Sequence, residues 1–426
     1  MDTKSTAKKE LGLYLHIPFC IRKCNYCDFL SAPAPEDVRQ AYIEKMLLEI
    51  QALAGRYPEF RVSTIFIGGG TPSILAAAAL QRLLEQVWKS FDVSADAEIT
   101  VECNPGTLDL EKLRIYRASG INRLSIGLQS ADDRQLRLLG RIHKYEQFVS
   151  NYILAREIGF QNINIDLMSA LPGQDVNNYE QTLYKTIGLE PEHISAYSLL
   201  IEEGTPFFSQ YGQAQEQRSR GGTQHLLPSE ETERLMYVRT KELLQAAGYH
   251  RYEISNYARP GYACRHNIGY WTRKNYLGFG IGAASMVENV RFSNTSDIEQ
   301  YLSTDFRLAR QDPCNKKKDG DGVRRAYCSA WHENVTDLNR QAQMEEFMFL
   351  GLRMMRGVAA GAFYEQFSEA IEEVYGDVLR KQIGEKLLQK TQTGYALTDY
   401  GIDVSNYVFC DYLLDEPANT NGRRSL

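Results

Sequence analysis

The stretch that decides the fold runs Leu11-Gly-Leu-Tyr-Leu-His-Ile-Pro-Phe-Cys20-Ile-Arg-Lys-Cys24-Asn-Tyr-Cys27-Asp-Phe29. Leu11, Leu13, Leu15 and Ile17 alternate, the period of a strand. Three cysteines follow within eight residues, spaced Cys-x3-Cys-x2-Cys. On a loop at the C-terminal end of that strand, three thiols can turn toward one centre. Tetrahedral zinc would need a fourth ligand, such as His16 or a distant cysteine. An iron–sulfur cluster also takes thiolates, usually four. Held by three, a four-iron cluster keeps one iron open to a small chelating ligand.

Strand and helix alternate from here onward. Residues 36–54 carry Val38, Tyr42, Met46 and Ile50 every four residues, a helical stripe. Val62 to Ile67 reads as a buried strand ending in Gly68-Gly-Gly-Thr71, with Ser73 placed to cap a helix at 74–90. Further strands are expected at 98–103, 123–129, 162–168 and 193–201. Helices are expected before Gly120, a C-cap, and at 144–158, stopped by Gly159. Six such units argue an α/β chain with a parallel sheet. Residues 210–232, rich in Gln, Arg, Gly and Ser, read as a mobile loop or insertion. A helix at 230–247 and a Gly- and aromatic-rich region at 249–300 follow. A second polar loop, 311–325, carries Cys314 and Lys316 to Lys318. Helices at 335–356 and 361–390 precede a turn between short strands at 393–401.

Composition narrows the classes. The chain has 426 residues, 43% hydrophobic and 24% charged, a globular profile large enough for two or three domains. A net charge of −6 argues against general nucleic-acid binding. No apolar run reaches the length of a membrane-spanning helix. The basic N-terminus ahead of Leu11 imitates a signal peptide, but His16 and Pro18 interrupt the apolar run and no small-residue cleavage site follows. A cytoplasmic chain is expected, with its eight cysteines kept as thiols. The other five cysteines are scattered, so no disulfide framework is indicated.

The string from His16 to Phe29 resembles the radical S-adenosylmethionine (SAM) superfamily. Within it, the string is similar to the family of oxygen-independent coproporphyrinogen III oxidase and the HemW-type heme chaperones. The resemblance covers residues 11–300 strongly and 330–410 more weakly. It implies a partial six-stranded (βα) barrel over 1–240 and a barrel extension over 241–310. A linker at 311–330 then leads to a mainly helical, winged-helix-like domain at 331–426. It also implies a [4Fe-4S] cluster on Cys20, Cys24 and Cys27, whose open iron binds the amino and carboxyl groups of SAM.

Ligands of such barrels bind at the C-terminal strand ends. Gly69, Gly70 and Thr71 match the superfamily's loop for the SAM amino group. Gly68-Gly-Gly-Thr71 is not a P-loop, because Gly-Lys-Ser/Thr is absent. Glu102, Gln129, Arg141 and Asp166 fall at or just after successive strand ends and match the oxidase's SAM-binding pattern. The carboxylates can accept from ammonium or ribose hydroxyls, and Arg141 can pair with a carboxylate. Tyr14 and Tyr26 match positions near the methionyl group and the adenine. Gly278-Phe-Gly-Ile-Gly-Ala283 fits a dinucleotide fingerprint in letters only, since no acidic residue follows in a βα unit. It is expected as a glycine-rich strand beside the active site.

Three features separate chaperone from oxidase. The oxidase pattern has a cysteine where Phe29 stands. It also has a longer segment before the cluster motif than the 19 residues ahead of Cys20. Finally, His266-Asn267-Ile-Gly-Tyr270-Trp271 resembles the heme-associated motif of the chaperones. There His266 would ligate heme iron, and Asn267, Tyr270 and Trp271 would attend the macrocycle. The expected partners are heme as cargo, recipient hemoproteins and an electron donor, with no nucleic acid. The reading leaves room for a homodimer and for peripheral contact with a membrane.

Overall fold

The computed structural model describes residues 8–220, 226–309 and 329–414. The chain divides into two compact units. The first takes in Met1–Arg251, Ser255–Gly269 and Lys274–Asp337, and the second Tyr252–Ile254, Tyr270–Arg273 and Leu338–Leu426.

The first unit is built on six parallel strands: β1 (Lys9–Ile17), β2 (Phe60–Gly69), β3 (Val93–Cys103), β4 (Arg123–Gln129), β5 (Ile163–Ser169) and β6 (His193–Ser198). They lie in sequence order, each parallel to the next. Parallel neighbours need crossover helices. Glu36–Ala52, Ala77–Ser90, Leu110–Ala118, Tyr145–Glu157 and Val176–Ile187 supply them. Every residue of β4 is buried, as expected of a strand packed on both faces. On helix Ala77–Ser90 the stripe Leu80, Leu83, Leu84 and Val87 faces the core.

The region after residue 248 extends both edges of this sheet. β7 (His250–Arg251) and β8 (Asn256–Ala258) add antiparallel beyond β6. β9 (Asn275–Phe279) lies parallel to β1 and carries Gly278, while Gly280 and Gly282 fall in the turn that follows it. β10 (Ala284–Val287), β11 (Val290–Ser293) and β12 (Glu333–Asp337) follow antiparallel.

In the second unit, helices Arg340–Gly351, Ala360–Phe367 and Ile371–Gly384 accompany a small sheet. Its strands are β13 (Val358–Ala359), β14 (Leu388–Lys390) and β15 (Gly394–Leu397), ordered β13-β15-β14. This is a winged-helix-like arrangement. Phe363 packs on Phe367 and Tyr375, and Tyr375 on Tyr412.

Four expectations are corrected. Residues 210–219 are not a loop: they belong to helix Pro206–Ser219, capped by the Thr205 hydroxyl. Its apolar face, Phe207, Tyr211 and Ala214, is short, and it packs on Leu139, Met168, Leu171 and Leu199. Ser73 caps no helix. Its hydroxyl pairs with Thr107 and accepts the Asn104 N–H, while helix Ala77–Ser90 begins without a side-chain cap. Residues 335–337 end a strand, because they pair with β11. Residues 388–390 likewise pair with β15. Residues 221–225, Cys314, Lys316 to Lys318, Cys328 and most of the expected linker lie outside the described residues.

Candidate cluster and cofactor site

The cysteine loop leaves β1 through Pro18 and is fastened at three points. The Cys20 N–H donates to the Ala32 carbonyl and the Ala32 N–H to that of Pro18, closing the loop's base. Asn25 holds its middle. The Asn25 backbone N–H donates to Leu139 and its side-chain amide to Leu138, while its own carbonyl accepts from Phe207. Gly140 lies against Asn25 with φ of 77°, where an added Cβ would stand 3.1 Å from that side chain. His16 holds the exit: its Nε2 pairs with the Leu30 carbonyl at 2.9 Å and its Nδ1 with the Tyr14 hydroxyl at 2.9 Å.

The end of β2 lies beside this loop. The Gly70 N–H donates to Ile17 and the Thr71 N–H to Phe19. A Cβ on Gly70 would stand 2.6 Å from the Phe19 carbonyl oxygen, so only glycine allows the approach. The Thr71 hydroxyl lies 3.6 Å from the Cys20 sulfur.

Loop and strand ends enclose a cavity of about 490 Å³, within the usual range for a small-molecule pocket. It gathers Cys20, Cys24 and Cys27 with Tyr26, Gly69, Gly70, Thr71, Glu102, Gln129, Arg141, Asp166 and Asn267. Among the further residues that line it, sequence reasoning missed Asn104, Tyr197 and Asn256. Asn104 follows Cys103 at the end of β3, and its amide donates to Thr71 at 2.8 Å while its oxygen accepts from Arg141 at 2.8 Å. Tyr197 stands at the end of β6, and its hydroxyl reaches the Gln129 oxygen at 3.3 Å. The strand-end rule applied to β6 would have found it. Gln129 itself has φ of 69°, at a register shift between β4 and β5 that turns its side chain to the cavity.

The cavity's charges are poised for a ligand carrying both signs. Burial, then the charge of Asp166, pushes the Glu102 carboxyl up to about 8, though it accepts the Gly69 N–H at 3.0 Å. Burial also raises Asp166, against donation from Asn164 at 2.7 Å. Arg141 donates to the Gly127 carbonyl at 2.6 Å and reaches the Cys24 sulfur at 3.8 Å. Buried carboxyls with raised pKa values invite a cation, and the buried guanidinium beside them invites a carboxylate. Among the described residues no three His, Cys, Asp or Glu side chains converge tightly enough to hold one metal ion. The loop's three thiols all line the cavity, and a cluster held by three thiolates would keep one iron open toward it. Three thiols, a two-carboxyl pair and a guanidinium are a donor set that fits a [4Fe-4S] cluster and a zwitterionic sulfonium amino acid.

Four expected residues stand apart from this cavity. Tyr14 is not among the residues that line it, and its hydroxyl pairs with the His16 Nδ1. His266 is 4% exposed: its Nδ1 pairs with the Thr64 hydroxyl at 2.8 Å and its ring stacks on Phe66 at 5.2 Å. The Glu98 carboxylate receives the backbone N–H groups of Arg265 and His266 and the Cys264 thiol, fixing the start of helix Arg265–Trp271. Tyr270 and Trp271 belong to the second unit, where Trp271 lies under the Arg353 guanidinium at 4.3 Å. Of the six-residue motif only Asn267 lines the cavity.

A barrel of this topology with three cysteines after β1 and this donor set defines a radical SAM protein. The pattern of the Radical SAM superfamily matches residues 14–184, and that of the HemN C-terminal domain residues 338–404. The superfamily implies a [4Fe-4S] cluster and SAM. Over nearly its whole length the chain is similar to heme chaperone HemW of Lactococcus lactis, 34% identical over 96% of this chain and 99% of that one. It is 34% identical to heme chaperone HemW of Bacillus subtilis, over 94% and 98%. To that of Escherichia coli it is 40% identical, over 65% and 70%. The chain belongs to the HemW family. Coproporphyrinogen III oxidase (HemN) from Escherichia coli, a radical SAM enzyme, shares its fold with a TM-score of 0.76 at 22% identity, covering 96% of this chain and 91% of that one.

Proposed function

We propose that this protein is a cytoplasmic heme chaperone that receives heme and delivers it to hemoproteins. Its cluster would be held by Cys20, Cys24 and Cys27, and SAM would occupy the cavity at the strand ends. The observation that carries the reading is the full-length similarity to chaperones named HemW, spanning 99% of the Lactococcus lactis protein. Phe29 supports it, since the oxidase pattern has a cysteine there.

The chain's own residues divide the work. Glu102 and Asp166 would accept from the ligand's ammonium or ribose hydroxyls, and Arg141 would pair with its carboxylate. Tyr26, Gln129 and Tyr197 would pack on its base, and the cysteine loop forms one wall of the cavity. When bound, the cluster supplies an iron open to the amino acid moiety and a source of one electron. Anaerobic reconstitution, followed by heme titration and by coproporphyrinogen III turnover with SAM and reductant, tests the function. Heme binding without decarboxylation is expected. Robust protoporphyrinogen formation would overturn the chaperone reading.

A further inference from the structure

Asn104 follows β3 and precedes Pro105, and its backbone is fixed from both sides. Its N–H donates to the Ser73 hydroxyl at 3.1 Å. Its carbonyl accepts the Thr107 hydroxyl at 2.6 Å and the Thr107 N–H at 3.2 Å. The two hydroxyls also pair with each other at 2.6 Å. A hydroxyl has one hydrogen, and Thr107 gives its own to Asn104, so Ser73 is the donor of that pair. Ser73, which caps no helix, thus closes a ring of three hydrogen bonds around the Asn104 backbone.

With the backbone held, the two partners of the Asn104 side chain decide which end of the amide faces which. Arg141 Nη2 lies 2.8 Å from the Asn104 oxygen, and a guanidinium can only donate. The amide nitrogen therefore faces the Thr71 hydroxyl, 2.8 Å away, and there Thr71 must accept. Its one hydrogen is left for the Cys20 sulfur at 3.6 Å. A metal-bound thiolate has no hydrogen of its own and can only accept. Thr71 is 3% exposed, so water does not compete for that hydrogen. On the other side, the same guanidinium reaches the Cys24 sulfur at 3.8 Å. Gly127 leaves room for the pair, since a Cβ there would stand 3.0 Å from Arg141 Nη2 and 3.2 Å from the Asn104 oxygen. One amide thus joins two donors, each aimed at a different thiol of the cysteine loop.

We infer that Asn104 is a positioning residue for the cluster, orienting the Thr71 hydroxyl onto Cys20 and the Arg141 guanidinium onto Cys24 and so raising the cluster's reduction potential. The inference rests on the reading of Cys20, Cys24 and Cys27 as cluster ligands and deepens it. Hydrogen bonds to the sulfurs favour the reduced, more negative state. An amide suits the position because it donates at one end and accepts at the other. A carboxylate there would accept at both ends and draw the Thr71 hydrogen away from Cys20.

The test is potentiometry of the anaerobically reconstituted full chain without SAM, with iron and sulfide counted in every variant. Thr71→Val should lower the equilibrium constant for cluster reduction at least about threefold, and Thr71→Ser, which keeps the hydroxyl, should hold it near the wild-type value. Asn104→Asp should lower it as well, by redirecting the Thr71 hydrogen and by its own charge. The double variant separates the two causes. In the Thr71→Val background there is no hydrogen to redirect, so the Asn104→Asp shift should be smaller than in the wild-type background. Where Asn104→Asp assembles no cluster, Asn104→Ser enters the same cycle, because it withdraws the amide without adding charge, and its shift should shrink likewise. Shifts that simply add, or a Thr71→Val potential at or above the wild-type value, would overturn the role of Asn104. A wild-type chain that assembles no cluster would instead overturn the cluster reading.

Discussion

Glu102 at the end of β3 and Asp166 on β5 share one cavity, and after burial it is the charge of Asp166 that most raises the Glu102 carboxyl, to about 8. Both carboxyls are therefore held at a cost until a cation arrives. A ligand ammonium beside Glu102 favours the ionised form and so lowers its pKa. Cofactor binding and proton release are coupled.

The first prediction follows from that sign. Below pH 8 the free site carries a proton on Glu102 that the ligand must displace, so SAM affinity should rise between pH 6.5 and about 8. One displaced proton gives at most about tenfold per pH unit. Above about 8 the gain stops, because Glu102 is already ionised and the ligand's own α-amino group, ordinarily near 7.7–8.0, begins to lose its charge. Calorimetry in buffers of different ionisation enthalpy reads the released proton directly. Glu102→Gln should reduce the release by the proton that Glu102 gives up and weaken binding roughly ten- to 150-fold, the value of one charge-assisted hydrogen bond. A Gln variant whose proton release equals that of the wild type would remove Glu102 from the linkage.

A second prediction concerns Arg141. Its guanidinium spans the Asn104 oxygen, the Gly127 carbonyl and the Cys24 sulfur, three directions that an ammonium cannot cover with one planar fork. Arg141→Lys should assemble its cluster yet bind SAM at least about tenfold more weakly. Losing an N–H donor to the Cys24 thiolate should also make the cluster harder to reduce, because hydrogen bonds to sulfur stabilise the reduced, more negative state. Potentiometry of the reconstituted variant checks this, and a potential equal to or above the wild-type value would refute the contact's role.

How far these features were legible in the sequence depended on whether local pattern or distant pairing determined them. β1 to β6 announced themselves through patterns such as the alternation of Leu11 to Ile17 and of Leu124, Ile126 and Leu128 in β4. The residues at their ends inherited a position from that pattern. Helix Pro206–Ser219 hid because its buried face is only Phe207, Tyr211 and Ala214 among glutamines, so tertiary packing rather than composition sustains it. The pairing of β9 with β1 joins Leu13 to Leu277, and no local pattern encodes such a partner. Asn104 and Tyr197 were missed although each sits at a strand end like the residues that were found. The motif of His266 was visible but its short helix was not, and the burial of His266 comes from Thr64, Phe66 and Glu98, all on β2 and β3.

The third prediction is a stability profile for the cofactor-free chain. Burial pushes Glu49 up to about 7, although Tyr301, Gly280 and Asn294 all donate to it. With Glu102 near 8, both groups stabilise the fold fully below the ordinary carboxyl pKa, and that contribution drains away as pH rises through 7 and 8. Burial holds His143, His266 and His332 at about 3, so they act the opposite way: the unfolded chain takes up protons below about 6.5 that the folded chain refuses. The melting temperature should therefore peak near pH 6.5 and fall on both sides. Saturating SAM should lift the alkaline side most, by neutralising the penalty on Glu102. Thermal melts from pH 5 to 9 decide it, and a rise in Tm continuing through pH 8 without ligand would contradict the assignment.

The last prediction separates neighbours within one motif. His266 fills the interior between Gly12, Thr64 and Phe66, while Asn267, one residue on, lines the cofactor cavity. His266→Ala leaves a void and removes the partner of the Thr64 hydroxyl, a loss of about 2–4 kcal/mol by the usual cost of buried truncation and of an unpaired buried group. Its SAM affinity, measured on the fraction that remains folded at low temperature, should change less than about threefold. Asn267→Ala should do the reverse, leaving Tm nearly unchanged and weakening SAM. Melts and SAM titrations on the two variants give four numbers whose crossing pattern is the test. The heme titration supplies the fifth. If His266 ligated heme iron, its alanine variant would shift or lose the absorbance of bound heme while the free protein kept its stability. A burial role instead predicts a destabilised chain whose folded fraction binds heme with an unshifted spectrum.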